Sequence, residues 1–178
     1  AMSKTALRPF DTRRNGTIFG EGAGLFVLES ADHARARGAR PLAEVLGYAV
    51  NNDAHHMTHP EPAAGGMIAV MRAALRDAGI GPDAVDHVNA HATGTPYNDR
   101  LETLAIQTVL GDHAAGTPVT GNKSALGHAM GAASALEAIA TVLTVRYGRI
   151  PPTLALEDPD PECDLDVVTG APRQIPVR

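Results

Sequence analysis

The sequence predicts an α/β protein in which helices pack on both faces of a sheet. Two observations support this class: apolar stripes with helical spacing alternate with short apolar runs, and glycines follow the predicted helices. The chain has 178 residues and is 44% hydrophobic, which is enough to bury a core. Because only 3% of the residues are aromatic, we predict a core built from Ala, Val, Leu and Ile.

The first part of the chain predicts two strands separated by a short helix. The run LFVL at residues 25–28 follows a glycine cluster, and we predict a buried strand whose glycines permit close approach of the backbone. ADHARARG predicts a short helix that ends at Gly38. LAEVLGYAV, at residues 42–50, predicts the second strand.

The rest of the chain predicts three longer helices and three further strands. GGMIAVMRAALRDAG and NDRLETLAIQTVLG have helical apolar stripes that end at Gly79 and Gly111. VDHVNAH predicts a strand with His91 at its carboxyl end, and TPVTG predicts a short strand. GAASALEAIATVLTVRYG predicts a helix that is apolar on nearly every side, which is typical of the interior of a large fold. The Pro-rich end predicts a loop with one strand near residues 165–168.

Composition excludes several classes of function. The net charge is −5 without a run of like charges, so we predict no nucleic-acid binding, which depends on clustered Lys and Arg. The single cysteine, Cys163, rules out a disulfide within these residues and fits a reducing compartment. No apolar stretch reaches the ~18 residues of a membrane span, and no secretory signal is present. We therefore expect a soluble cytoplasmic protein without a membrane partner.

A polar turn follows His91 and makes it a candidate for a functional site. Thr93 and Thr95 lie on a Thr-Gly-Thr-Pro turn, and a helix is predicted to start near Asn98. Threonine hydroxyls on such a turn can form hydrogen bonds with the amide groups of a ligand arm. Alternatively, Thr95 or Asn98 caps the helix.

A lysine and a second histidine precede the apolar helix. The amino end of that helix is expected to favour the neutral form of His128, which can donate a hydrogen bond to an enolate or oxyanion. Lys123 supplies a fixed positive charge that can orient Asp99 or Glu102. The alternatives are a surface lysine and a buried histidine with its hydrogen bonds satisfied. Together with His91, the group favours a single site.

Three histidines, His55, His56 and His59, form a separate cluster. Their spacing suits metal chelation if the segment is helical. However, Pro60 and Pro62 follow, and no carboxylate or cysteine completes a ligand set. We therefore predict neither a metal site nor a cofactor.

Five segments together resemble the C-terminal half of β-ketoacyl synthases, the condensing enzymes of fatty-acid and type II polyketide assembly. They are RPFDTRRNGTIFGEGAG, NNDAHHMTHP, VNAHATGTPYND, NKSALGH and IPPTLALEDPDPECDLDVV, and they follow that family's order from about Arg8 to Val168. Thiolases share a glycine-flanked histidine similar to ALGHAMGA, but they lack the HATGTP element and the lysine five residues before the histidine.

The resemblance implies the C-terminal half of a thiolase-like layered α-β-α-β-α fold, which takes up residues 1–178. It also implies decarboxylative Claisen condensation of an acyl thioester with a malonyl thioester carried by acyl carrier protein. By position, His91 and His128 form the catalytic pair, and Lys123 organises the network. The resemblance also implies that Asp99 and Glu102 are supporting acidic residues. It further implies that three threonines contact the phosphopantetheine arm or lie beside the acyl site, namely Thr58, Thr93 and Thr95.

This sequence departs from the family's pattern after the first histidine, where Ala92 stands in place of the usual glycine. We expect its methyl group to exclude a positive φ. The family's nucleophilic cysteine lies before these residues, and its glycine- and phenylalanine-rich gating loop lies after them. Cys163 does not occupy the nucleophile position, so we expect the isolated chain to be inactive.

The expected partners are acyl carrier protein, the N-terminal half of the synthase and a second copy of the protein. Without the N-terminal half, part of the apolar surface should remain open, so the chain alone is expected to self-associate. The alternative function is a non-catalytic subunit similar to a chain-length factor. The joint presence of His91, Lys123 and His128 speaks against that alternative, since a non-catalytic subunit needs none of them.

Overall fold

A computed structural model describes residues 1–178 as a mixed helix-and-sheet fold. Short 3₁₀ turns join several of its elements. None of the helices combines the length and the apolar character that crossing a membrane requires. In chain order, the helices are α1 (Ala31–Ala36), α2 (Gly65–Ala78), α3 (Asn98–Leu110), α4 (Lys123–Leu126) and α5 (Ala133–Tyr147), and the strands are β1 (Val88–Asn89), β2 (Val119–Thr120), β3 (Arg149–Ile150) and β4 (Arg173–Gln174).

The central pair of strands, β1 and β2, is parallel, with Val88 opposite Val119. Both strands were predicted by VDHVNAH and TPVTG, although each is only two residues long. The strand predicted near residues 165–168 is reduced to a single parallel bridge between Val167 and Val119. Because parallel strands end at the same edge, β1 and β2 bring the residues that follow them together.

Helices α2 and α3 lie against each other and against this sheet, as their apolar stripes predicted. Each is followed by a glycine in a positive-φ conformation, Gly79 at 69° and Gly111 at 57°. The core is mostly aliphatic, and Ile106 of α3 is among its most deeply buried members. Phe10 also belongs to this core, which the prediction of a purely aliphatic interior missed.

The strands predicted at residues 25–28 and 42–50 do not form, and we call these two ranges the open segments. Leu25 is 95% exposed and Val45 is 79% exposed, so the prediction of buried strands is wrong here. Neither range is joined to another strand by backbone hydrogen bonds. A strand needs such a neighbour to satisfy its N–H and C=O groups, and no other part of the chain supplies one.

Helix α5 is apolar but only partly covered, although the sequence predicted an interior helix. Its buried residues are Ala133 and Thr144. The glycine-rich segment before the first open segment does lie against α5, since a Cβ on Gly24 would come within 2.9 Å of Ile139 Cδ1. The predicted close backbone approach at these glycines is therefore confirmed.

Candidate active site

The rings of His91 and His128 lie together, as predicted. Their centroids are 5.6 Å apart and their planes are perpendicular. His91 follows β1, while His128 follows α4 and is held by a parallel bridge to Phe19. Its N–H donates to Ile18 O at 2.8 Å. Two chain segments that are distant in sequence therefore present their imidazoles to one space.

The backbone next to His91 is held by a carboxylate of α3. The Glu102 carboxylate accepts the N–H of His91 at 2.5 Å through Oε1 and the N–H of Ala92 at 2.8 Å through Oε2. Asp99 holds the backbone of the following turn, because its Oδ1 accepts the Gly94 N–H at 3.1 Å. Burial raises the pKa of both carboxyl groups, and these hydrogen bonds oppose that effect. Asp99 and Glu102 thus shape the turn after His91.

Lys123 is paired with Glu137 and not with Asp99 or Glu102, so the predicted acidic partners are wrong. The Lys123 Nζ atom lies 2.6 Å from Glu137 Oε1, and the lysine is 1% exposed. The correct partner comes from α5 because Asp99 and Glu102 face backbone N–H groups of the turn. Glu137 is the only charged residue of α5 before Arg146, and a lone charge on an apolar helix requires a partner. That signal was visible in the sequence.

Two asparagines missed by sequence reasoning join these segments. Asn89 of β1 donates from Nδ2 to Glu137 O at 3.0 Å and to Thr141 Oγ1 at 3.1 Å. Its Oδ1 accepts from Asn122 Nδ2 at 3.2 Å. Asn122 precedes Lys123, so this chain of hydrogen bonds fixes the lysine turn relative to β1 and α5. An amide on a strand predicted to pack between helices was the available signal, because a buried amide needs hydrogen-bond partners.

Burial and the charge of Lys123 favour neutral rings at both histidines. The Nδ1 atom of His128 accepts the Met130 N–H at 3.3 Å, so the hydrogen of a neutral ring is on Nε2. Burial, followed by the Lys123 charge, lowers the pKa of His128, while Glu137 opposes this shift. His91 keeps an exposed surface, but desolvation by the surrounding protein, followed by the charges of Lys123 and His128, lowers its pKa to about 4. Burial and the charge of Lys123 thus favour the neutral form of His128, an effect that the sequence analysis expected from the amino end of α5.

The three predicted threonines separate into two places. Thr93 Oγ1 and Thr95 Oγ1 lie 3.0 Å apart on the turn after His91. Thr95 Oγ1 also accepts the Asn98 N–H at 3.3 Å, so it supports the start of α3 as the alternative interpretation allowed. Thr58 lies on an exposed segment, where its N–H donates to His56 Nδ1 at 3.1 Å.

The Thr58 segment contacts the turn through aromatic rings. His59 makes an edge contact with Tyr97, with ring centroids 5.5 Å apart. His56 and His59 contact each other in the same way, with centroids 4.7 Å apart. No group of three or more His, Cys, Asp or Glu side chains converges as a metal site within residues 1–178.

Ala92 corrects another expectation, because it adopts a φ of 42°. Its methyl group was expected to exclude a positive φ. The conformation costs an alanine about 1 kcal/mol. It is maintained by the two hydrogen bonds that Glu102 accepts from His91 and Ala92 and by complete burial of the residue.

Cys163 lies in the aliphatic core, away from any open surface. Burial raises the pKa of its thiol to about 11. A buried and protonated thiol is a poor nucleophile, which agrees with the expectation that Cys163 has no catalytic role.

Comparison with known proteins places this site in a family. The model of the β-ketoacyl synthase C-terminal domain matches residues 42–157. The chain belongs to the β-ketoacyl synthase family. Its predicted fold class is confirmed by ketosynthases of thiolase-like fold that superpose along its length.

Three similar proteins illustrate the relationship. Nodulation protein E of Rhizobium meliloti is 49% identical over 100% of this chain and 44% of its own length. The 3-oxoacyl-[acyl-carrier-protein] synthase 2 of Coxiella burnetii is 46% identical over 97% of the chain and 42% of its own length. A type II polyketide ketosynthase, solved with its acyl-carrier protein and bound to the hexaketide, superposes with a TM-score of 0.95 at 38% identity, over 100% of this chain and 44% of that chain. The chain thus spans less than half of these relatives.

Proposed function

We propose that this chain is the C-terminal part of a 3-oxoacyl-[acyl-carrier-protein] synthase of fatty-acid or type II polyketide synthesis. The whole enzyme performs decarboxylative Claisen condensation of an acyl thioester with a malonyl thioester. The observation that carries the proposal is the perpendicular pair of His91 and His128, with ring centroids 5.6 Å apart and the buried Lys123–Glu137 ion pair close by.

The site suits the first half of that reaction. Decarboxylation breaks the bond between the malonyl carboxyl carbon and Cα, releases CO₂ and leaves a thioester enolate. Neutral imidazoles can stabilise the enolate oxygen by donating hydrogen bonds in a partly desolvated site. His128 has an N–H on Nε2 for this purpose because its Nδ1 already accepts from Met130. The lowered pKa values keep both His91 and His128 neutral at pH 7.

The second half of the reaction requires a thiol nucleophile from outside these residues. The enolate carbon attacks the carbonyl carbon of the acyl thioester, a carbon–carbon bond forms and the thiolate leaves. Cys163 is buried with a raised pKa, so it cannot carry the acyl group. We accordingly propose that residues 1–178 form one C-terminal domain, that an N-terminal half supplies the nucleophile, and that the chain alone is inactive.

Acyl carrier protein is the proposed carrier of both acyl groups. Thr93 and Thr95 present neighbouring hydroxyls beside His91, where they suit the amides of a phosphopantetheine arm. Thr58 lies on the segment that reaches this turn through the contact of His59 with Tyr97. A homo-oligomeric enzyme in the cytoplasm is part of the proposal, and the single cysteine fits that compartment.

A chimeric enzyme tests the function. The segment of the Coxiella burnetii synthase that matches this chain is replaced by residues 1–178, and CO₂ release from malonyl-acyl carrier protein is measured. His91→Ala and His128→Ala should each slow release by about 10²–10⁴-fold. His113→Ala is the matched control, because the side chain of this exposed histidine bonds only Val85 O, and its removal should leave the rate unchanged. Full decarboxylation by the His91→Ala chimera would refute the proposal and favour a non-catalytic subunit.

A further inference from the structure

Ala92 is a strained residue directly beside the candidate site. It is fully buried, has a φ of 42° and follows His91 directly. A buried residue keeps such a conformation only where its surroundings impose it, and such residues cluster at functional sites. The β-ketoacyl synthases that this sequence resembles usually have glycine here, which would adopt the same conformation without strain.

The backbone of Ala92 is fixed from the side of α3. The Glu102 carboxylate accepts the N–H groups of both His91 and Ala92, one on each oxygen. Asn98 Nδ2 donates to the same carboxylate at 3.2 Å and limits its movement. The peptide after His91 therefore has one orientation, which determines where the His91 side chain begins.

The methyl group of Ala92 packs on the other side, against Gly121. A Cβ on Gly121 would lie 2.9 Å from Ala92 Cβ, so the two backbones approach as closely as one methyl group allows. Gly121 follows β2 and donates its N–H to Thr153 Oγ1 at 2.9 Å. Lys123 is two residues further along the chain. The methyl group is thus a spacer between the end of β1, which carries His91, and the turn that carries Lys123.

We propose that Ala92 is a positioning residue for His91, whose methyl group sets the distance between the His91 turn and the Lys123 turn. This role rests on the proposed function, because positioning matters only if His91 takes part in the reaction. A glycine at this position would relieve the strain but leave a gap against Gly121, and the His91 ring would gain freedom to move away from Lys123 and His128.

The first test is the titration of His91 and His128 in the 178-residue chain by NMR, with and without Ala92→Gly. Lys123 and His128 are the titratable groups that act on His91. In the variant, the pKa of His91 should rise by about half a unit to one unit, since a freer ring is better hydrated and further from the lysine charge. Ala90→Gly is the control, because it removes a buried methyl group from the same segment, but one that packs in the apolar core. An unchanged His91 pKa in Ala92→Gly, or an equal rise in both variants, would overturn the proposal.

A double-mutant cycle provides the second test. Gly121→Ala should lower the melting temperature, because its methyl group would meet both Ala92 Cβ and Pro9. In the Ala92→Gly background, Gly121→Ala should cost less, since the closer of the two contacts is gone. Strictly additive shifts would contradict the spacer role. Retained decarboxylation in the His91→Ala chimera would refute the proposed function, whatever these two measurements give.

Discussion

Two regions of this chain have similar apolar sequences and opposite surroundings. Around β1, β2 and α3, apolar residues such as Ile106 and Val119 are buried in one core. In the open segments, residues such as Leu25 and Val45 face solvent. Local sequence therefore does not account for the difference between the two regions.

The difference lies in what each region needs from elsewhere. A helix makes its backbone hydrogen bonds internally, so α2 and α3 need only an apolar surface to pack against. Each helix provides that surface for the other. A strand depends on a neighbour, and β1 and β2 are neighbours to each other. We call the region around β1, β2 and α3 the closed region. Buried polar groups at its edge are also paired, as Lys123 is with Glu137. The open segments have strand-forming composition but no strand partner within residues 1–178.

The largest expected contrast between the regions comes from removing a carboxylate. Glu102→Ala should reduce the free energy of unfolding by about 3–5 kcal/mol, because the N–H groups of His91 and Ala92 lose their acceptor inside the protein. Glu44→Ala, in an open segment, should change it by less than about 0.5 kcal/mol. Urea unfolding followed by circular dichroism measures both values. Equal losses would show that the open segments are as tightly built as the site.

A second contrast comes from truncating apolar side chains. Ile106→Ala leaves a cavity in the core and should cost about 2–5 kcal/mol. Leu25→Ala removes a side chain that is already in water and should stay within about 0.5 kcal/mol. The same urea titrations give both numbers, and a loss above about 2 kcal/mol for Leu25→Ala would mean that this residue is buried in solution.

A smaller effect is expected from pH. His87 donates from Nε2 to Thr120 Oγ1 at 3.1 Å, and burial lowers its pKa from 6.5 to about 4. Between these two values the unfolded chain binds more protons than the folded chain, so the contribution of His87 to stability is present above pH 6.5 and is lost as the pH falls toward 4.

Comparing the pH dependence of stability in the wild-type chain and in His87→Gln separates the contribution of His87 from those of the carboxyl groups. Asp99 and Glu102 have raised pKa values, so their contributions change with the opposite sign, falling as pH rises. The loss of stability between pH 7 and pH 4 should be about 3 kcal/mol smaller in His87→Gln than in the wild-type chain. Parallel stability curves for the two proteins would show that His87 protonates freely in the folded state.

The smallest effect on stability should accompany the clearest effect on association. Leu25→Lys combined with Val45→Lys should change the unfolding free energy by less than about 0.5 kcal/mol, because both side chains are exposed. Exposed apolar area costs ~25 cal/mol per Å², so the wild-type chain should self-associate and bind a hydrophobic dye. Light scattering over a dilution series should show a smaller average mass for the variant. A wild-type chain that is monomeric at every concentration and binds no dye would contradict the prediction.

Sequence reasoning identified the features that depend on local pattern. The bounds of α2 and α3 followed from apolar periodicity and from Gly79 and Gly111. The approach of His91 to His128 followed from placing one after a strand and the other before a helix.

What the sequence did not reveal depends on three-dimensional neighbours. Sequence analysis assigned Lys123 to Asp99 or Glu102 on α3, and the packing of α5 pairs it with Glu137 instead. The positive φ of Ala92 is imposed by Glu102, which lies ten residues later. Strand formation in the open segments depends on a partner strand, which no local pattern can report.

The single thiol of this chain makes the closed region measurable by chemical labelling. Cys163 lies in the same core as Ile106 and Val119, and burial holds its thiol in the protonated form. A thiol reagent added to the native protein can therefore react only in the moments when that core opens. The labelling rate reports the opening equilibrium, and with one cysteine each modified molecule records a single event at a known position. The residue that cannot serve as a nucleophile is thus a built-in probe for local unfolding.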